Sequence, residues 1–237
     1  MILPKNRPHQ TIDTPHNFFI YGATMSGKSY LAGHFPNPIF LNTDGNSLAN
    51  EAPSIQLKND LKTGQSVIEQ LDEFTKEIET MNSQDDYGYE TIVIDVIDDV
   101  ATLIEQAICQ KANVKALSDI PYGKGYATFN SVLQGLVMSL KAMPVNVIYI
   151  SRVAEKIEDD GSTKEIPSLK TKYYNIVNGN CDLVIHTQQI GSRYLRTIDK
   201  KRKNYYESKI DDSNILRLLK AIPGAITKEQ KTEKVGK

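Results

Sequence analysis

Residues 22–29 read GATMSGKS and follow the apolar run Phe18-Phe19-Ile20-Tyr21. A buried strand that turns through glycine into a helix aims several backbone N–H groups at one small volume. Such a nest attracts anions, phosphate above all. The spacing Gly22-x4-Gly27-Lys28-Ser29 is the P-loop pattern, which gives each residue a task. Gly27 lets the backbone close around phosphates, Lys28 carries charge to the β/γ oxygens, and Ser29 offers a hydroxyl to Mg²⁺. The expected nucleotide-binding stretch is therefore Gly22, Ala23, Thr24, Met25, Ser26, Gly27, Lys28, Ser29 and Tyr30. The competing reading is a plain glycine turn, and the strand before it and helix after it weigh against that.

A P-loop needs a carboxylate to hold the Mg²⁺ shell, and TIVIDV (91–96) supplies one. Ile92, Val93 and Ile94 fill the core of a β-branched strand, and Asp95 emerges at its C-terminal end as a Walker B acid. Ser29 and Asp95 are thus the metal-side pair. Of the next two acids, Asp99 reads as a cap of the following helix, and Asp98 stays open. Hydrolysis further requires a group that orients or deprotonates water. No glutamate follows Asp95. The candidate is Asp44 in FLNTDG, where ligands sit beyond the carboxyl ends of strands, and the alternative is an Asp-Gly turn. The strand VNVIYIS ends in Ser151 and Arg152, either of which could sense a γ-phosphate; Arg152 equally reads as a surface arginine.

These groups must be positioned by alternating strands and helices. Strands are expected at 37–45, 91–96 and 145–151, with helices at 66–81, 98–116 and 127–142. From 151 the period changes. EDDG (158–161) is a hairpin-type turn, and CDLVIHT (181–187) and RYLRTI (193–198) are strands. The expected fold is α/β: a P-loop NTPase with a mainly parallel, helix-flanked sheet and antiparallel strands toward the C-terminus. One domain spans 1–222, and 223–237 is a polar, disordered tail. With 237 residues, 40% hydrophobic and 24% charged, the composition is that of a globular protein. No apolar stretch approaches the ~20 residues of a membrane helix, and no signal peptide opens the chain. Cys109 and Cys181 sit in apolar surroundings and read as reduced core thiols of a cytoplasmic protein. Charge is uneven: residues 42–99 carry 14 acids and 3 bases, whereas 151–237 carry 18 bases and 12 acids. A basic C-terminal part beside a nucleotide site points to a second polyanion.

GATMSGKS, FLNTDG, TIVIDV and PYGKGYATF leading to VIYISR together resemble the phage-type P-loop nucleotide-binding proteins with a RecA-like core, some of which are recombination ATPases that bind single-stranded DNA and promote annealing. The resemblance runs over roughly residues 15–205. It implies Asp44 as water activator and Ser151 or Arg152 as polar sensor, where the RecA-like pattern has Glu and then Gln or His. It implies DNA contact by the loop after the sensor strand, about 153–175, with Lys156, Lys164, Lys170, Lys172, Tyr173 and Tyr174. Stacking of the two tyrosines on bases stands beside their packing under the sheet. It also implies that cations of a neighbouring subunit complete each ATP site; here Arg193, Arg196, Lys200, Lys201, Arg202 and Lys203 crowd into eleven residues. A phosphate grip on DNA and a solvated strand edge are the other readings of that cluster.

The implied cofactors are ATP and Mg²⁺. The implied partners are single-stranded DNA, further copies of the chain in an oligomer or filament, and a single-strand DNA-binding protein, in the cytoplasm of a bacterial host. Nothing resembles the NKxD guanine motif. A helicase loader, a nucleotide-gated binding protein with little turnover and a small-molecule kinase are the alternatives; the lack of an arginine-rich lid argues against the kinase.

Overall fold

The computed structural model describes residues 13–45, 51–60, 62–82 and 88–228. Its centre is a seven-stranded sheet. In chain order the first half runs β1 (Asn17–Gly22), α1 (Lys28–Ala32), β2 (Pro38–Asn42), β3 (Ser54–Gln56), α2 (Val67–Asn82), β4 (Thr91–Asp95) and α3 (Ile97–Ala112). The second half runs α4 (Lys124–Ala142), β5 (Asn146–Ser151), β6 (Val153–Ile157), β7 (Thr163–Pro167), α5 (Thr171–Asn178), β8 (Leu183–Ile190), β9 (Arg193–Lys201) and α6 (Ser213–Lys220). The strand order is β3-β2-β4-β5-β1-β8-β9, and β6 and β7 form a separate hairpin. All pairings in the large sheet are parallel except β8 with β9. This is the expected RecA-like sheet with an antiparallel C-terminal edge.

Strands buried on both faces read as continuous apolar runs, and successive side chains still go to opposite faces. One face holds Phe19, Tyr21, Leu41, Ile92, Ile94, Val147 and Tyr149 against α2, α3, α4 and α5. The other holds Phe18, Ile20, Phe40, Val93, Ile148, Ile150 and Ile185 against α1 and α6. This alternation aims the polar strand ends. Asp95 follows Val93 by two and points to the α1 face. Ser151 follows Tyr149 by two and points to the α3 face.

Local chemistry sets the ends of the helices. Ser66 and Glu69 form a capping box at the start of α2: Ser66 N–H donates to Glu69 Oε2 at 2.8 Å, and Glu69 N–H to Ser66 Oγ at 3.3 Å. α3 stops at Ala112, short of the expected 116, because Asn113 takes the left-handed conformation at φ 52°. α4 starts at Lys124, earlier than expected, behind Gly123 at φ 67°. Two helices lie where the sequence reads as strand-rich or polar. α5 buries Tyr173 and Val177, and α6 buries Ile215 and Leu219 behind Asp212, whose carboxylate accepts from the N–H groups of Asn214 and Ile215. Residues 223–228, assigned above to the tail, include the buried Ala225 and pair with the chain through Thr227 N–H to Tyr205 O at 2.7 Å. The rest of that tail, 229–237, lies outside the described residues. Cys109 and Cys181 are free and buried, as expected.

Candidate nucleotide site

The loop 22–29 joins β1 to α1 through two left-handed residues, Met25 at φ 64° and Gly27 at φ 85°. Gly27 holds that conformation without a Cβ penalty. Gly22 is needed for a different reason. A Cβ there would lie 2.2 Å from Thr187 O and 2.5 Å from Ser26 Oγ, so the loop packs directly on β8. Ser26 Oγ and Thr187 Oγ1 are 2.7 Å apart and buried. The loop is thereby pinned to the end of β8, on the face of the sheet that α1 covers.

Lys28 folds back along the loop, donating to the carbonyls of Gly22 at 2.9 Å and Ala23 at 2.7 Å. Burial pushes its amine below the usual lysine range, and nearby Asp95 opposes that shift. Ser29 donates to Asp95 Oδ2 at 2.6 Å. Burial pushes the Asp95 carboxyl up, while the Ser29 hydrogen bond pulls it down. A hydroxyl and a carboxylate beside a lysine form the hard oxygen set that suits Mg²⁺ held with substrate phosphates. One further group supports that fit. Asn42 ends β2 opposite Asp95 in the parallel register, is 2% exposed, and its amide nitrogen has no protein partner among the described residues. A buried donor of that kind is made to meet a ligand or water oxygen. The sequence reading passed over Asn42, because an asparagine beside a turn carries no motif. When bound, Mg²⁺ would supply charge neutralisation between phosphate oxygens, with Ser29 and Asp95 as the residues that hold it.

The remaining expected site residues divide. Asp44 is exposed just past β2, and its charge acts on both Asp95 and Arg152, which places it at the same end of the sheet. Ser151 is fully buried and turned toward α3, with its hydroxyl 3.1 Å from Asp98 Oδ1 and 3.2 Å from Arg152 O. Arg152 is held in a two-pronged pair with Asp99 at 2.6 and 2.7 Å. Asp99 therefore does not cap α3, whose N-cap is Val96. It accepts from Arg152 and from Thr43 Oγ1 at 3.1 Å, and the arginine holds its carboxyl below the usual range. Asp98, left open by the sequence, accepts from Ser151, from Ser168 Oγ at 2.6 Å and from Arg152 N–H at 3.2 Å. It thereby clamps both ends of the β6–β7 hairpin.

Residues 153–175 form that hairpin and the start of α5, not an irregular loop. Tyr173 is buried and donates to Glu105 at 2.8 Å, and Tyr174 sits edge-on to Phe19 at 5.2 Å, so packing rather than base stacking occupies both rings. Within the basic stretch, Lys201 donates to Gly224 O and Thr227 Oγ1, Arg202 to Gly179 O and Cys181 O, and Lys203 pairs with Asp13. Lys200 lies over the Tyr174 ring at 5.3 Å. Arg193 is exposed at the start of β9. Arg196 points toward the chain's own P-loop.

A strand–loop–helix that folds its lysine onto its own carbonyls and its serine onto a strand-end aspartate, on a mainly parallel sheet, defines a nucleotide-binding P-loop NTPase with a RecA-like core. Residues 14–210 match the family described as AAA domain (AAA_24), and the chain belongs to that family. Among solved structures, the crystal structure of the RadB recombinase is similar over 80% of this chain and 83% of that chain, at 14% identity and a TM-score of 0.43. No curated protein matches the sequence. No helix among the described residues is long and apolar enough to cross a membrane.

Proposed function

We propose that the protein is an Mg²⁺-dependent ATPase that acts on single-stranded DNA in phage-type recombination or single-strand annealing. The observation that carries the nucleotide part is the 2.6 Å contact of Ser29 with Asp95 beside the buried Lys28. It sets a lysine, a hydroxyl and a strand-end carboxylate at one point, which is the set of groups that a metal-bound phosphate would need. In this reading Asp44 activates water; it is the exposed carboxylate whose field reaches Asp95. The DNA part is supported by the basic C-terminal part and by the sequence resemblance, with the β6–β7 hairpin, the exposed Arg193 and Lys200 as candidate phosphate contacts. Assembly into an oligomer or filament on the DNA, beside a single-strand DNA-binding protein in a bacterial cytoplasm, belongs to the same reading.

A specific observation favours a second reading, a nucleotide-gated binder of low turnover. Ser151 and Arg152 are both committed to aspartates of α3, so neither hydroxyl nor guanidinium is turned out as a γ-phosphate sensor. The test is the rate of phosphate release from Mg-ATP with and without single-stranded DNA, run beside direct titrations of both ligands. DNA-stimulated release supports the ATPase. ATP-dependent DNA binding with negligible release supports the gated binder. Absence of DNA binding in every nucleotide state removes the DNA assignment.

A further inference from the structure

Arg196 and Tyr194 stand on the edge strand β9, which the P-loop motif does not predict to touch the nucleotide. β9 is registered on β8 with Arg196 opposite Thr187 and Tyr194 opposite Gln189. Directly opposed residues of an antiparallel pair share a face. Thr187 uses that face to hold Ser26 of the P-loop, so Arg196 and Tyr194, two apart, face the P-loop as well. The Tyr194 ring lies over Gly27, 3.3 Å from where a Cβ would sit. Together with Met25, Lys28, Ser29 and Tyr30, the two residues line a 660 Å³ cavity that is continuous with the P-loop. That volume suits a nucleotide-sized ligand. The cavity is polar at Lys28 and Ser29. Its other wall is Met25, Tyr30 and Tyr194, which are 81%, 64% and 56% exposed, an unusual grouping of uncovered large apolar side chains. Arg196 is half-buried and has no carboxylate partner among the described residues, whereas Arg152 and Arg202 are paired with Asp99 and Asp182. A partly buried guanidinium without an anion is poised for one.

We propose that β9 completes the nucleotide site within the same subunit: Arg196 engages the phosphate chain of a nucleoside triphosphate, and Tyr194, with Tyr30 and Met25, forms the face on which the nucleobase lies. This rests on the P-loop assignment, and it moves Arg196 from a neighbour's site or DNA to its own P-loop. The wall is built of two phenol rings and a thioether, and what it offers a base is chiefly a stacking face, which every base satisfies.

The test compares Mg-ATP with inorganic tripolyphosphate, which has the phosphates and no base, on the full chain. Tyr194→Ala is expected to weaken Mg-ATP roughly tenfold, within the range that base–aromatic stacking contributes, and to leave tripolyphosphate unchanged, while Tyr194→Phe retains wild-type affinity. Arg196→Ala is expected to weaken both ligands roughly tenfold or more, as loss of a charge-assisted contact does. Ligand-free melting of each variant should match wild type. Equal loss of tripolyphosphate in Tyr194→Ala overturns the base assignment. Unchanged affinity in Arg196→Ala overturns the phosphate assignment. Recovery of hydrolysis on mixing Arg196→Ala with Lys28→Ala subunits overturns the same-subunit placement. Failure of the wild type to bind Mg-ATP overturns the P-loop reading itself, which separates the two.

Discussion

Ser29 and Asp95, 66 residues apart, are joined by a 2.6 Å hydrogen bond between the first helix and the fourth strand. The contact exists because Asp95 keeps the strand alternation of Val93 and so points to the α1 face. Burial disfavours the ionised Asp95, and its raised pKa means that, at neutral pH, the charge opposes folding of the ligand-free chain. Function and stability therefore pull in opposite directions at this residue. Asp95→Asn should keep or raise the ligand-free melting temperature and reduce Mg²⁺-dependent ATP affinity by roughly 10- to 100-fold. Melting and titration in Mg²⁺ and in chelator decide it; an unstable variant with intact affinity would contradict the assignment.

Lys28 carries the same conflict with the opposite charge. Burial lowers its pKa, so its ammonium is costly until a phosphate arrives. Lys28→Ala should abolish triphosphate binding while the fold survives, with far-UV circular dichroism and melting close to wild type. Retained ATP affinity would remove the P-loop assignment.

Asp44 separates binding from turnover. Asp44→Asn should bind Mg-ATP as wild type does and lose phosphate release, because an amide cannot accept the water's proton. A wild-type rate in this variant would return Asp44 to the role of a turn residue.

The P-loop and Asp95 were legible in the sequence because a fixed spacing and an apolar run name them without any tertiary information. The orientation of Ser151 was not. It follows from counting by twos from Tyr149, and that count is useful only once α3 is known to cover that face. Asp99 misled for a related reason: an acid in a first helical turn fits a capping pattern, and its partner Arg152 lies 53 residues away. α5 and α6 hid because each is eight residues long, and two buried apolar positions four apart give too short a period to stand out. Arg196 was read with its neighbours as one basic cluster. Only the register of β9 on β8 parts it from Lys201, Arg202 and Lys203.

The Arg152–Asp99 pair gives a pH dependence with a definite sign. The arginine lowers the folded-state pKa of Asp99 below its unfolded value near 3.9. Its stabilisation is present above about pH 4 and is lost as pH falls through the depressed value. The side chains are 44% and 34% exposed, so the pair should contribute no more than about 1 kcal/mol. A double-mutant cycle of Asp99→Asn and Arg152→Gln, followed by denaturant titration at pH 7 and pH 3, should show smaller coupling at the second than at the first. Equal coupling at both would mean that the hydrogen bonds, not the charges, hold the pair.

Thr187 tests whether the sheet holds the P-loop in shape. Its hydroxyl lies 2.7 Å from Ser26 Oγ and 3.3 Å from Tyr21 O, and both Ser26 and Thr187 are buried. Thr187→Val keeps the shape and removes the hydroxyl, so Ser26 is left buried without that partner, at a cost of about 1–3 kcal/mol. For a chain of this size each kcal/mol corresponds to roughly 2–4 °C in melting temperature. The loop should also lose its set conformation, weakening Mg-ATP and tripolyphosphate alike, since both need the same N–H nest. Thr187→Ser restores the hydroxyl and should restore binding. Adding Ser26→Ala to Thr187→Val removes the orphaned group, and the double variant should be less destabilised than the sum of the two singles. Additive losses, or a Thr187→Val chain that binds tripolyphosphate as wild type does, would show that α1 and Lys28 shape the loop without help from β8.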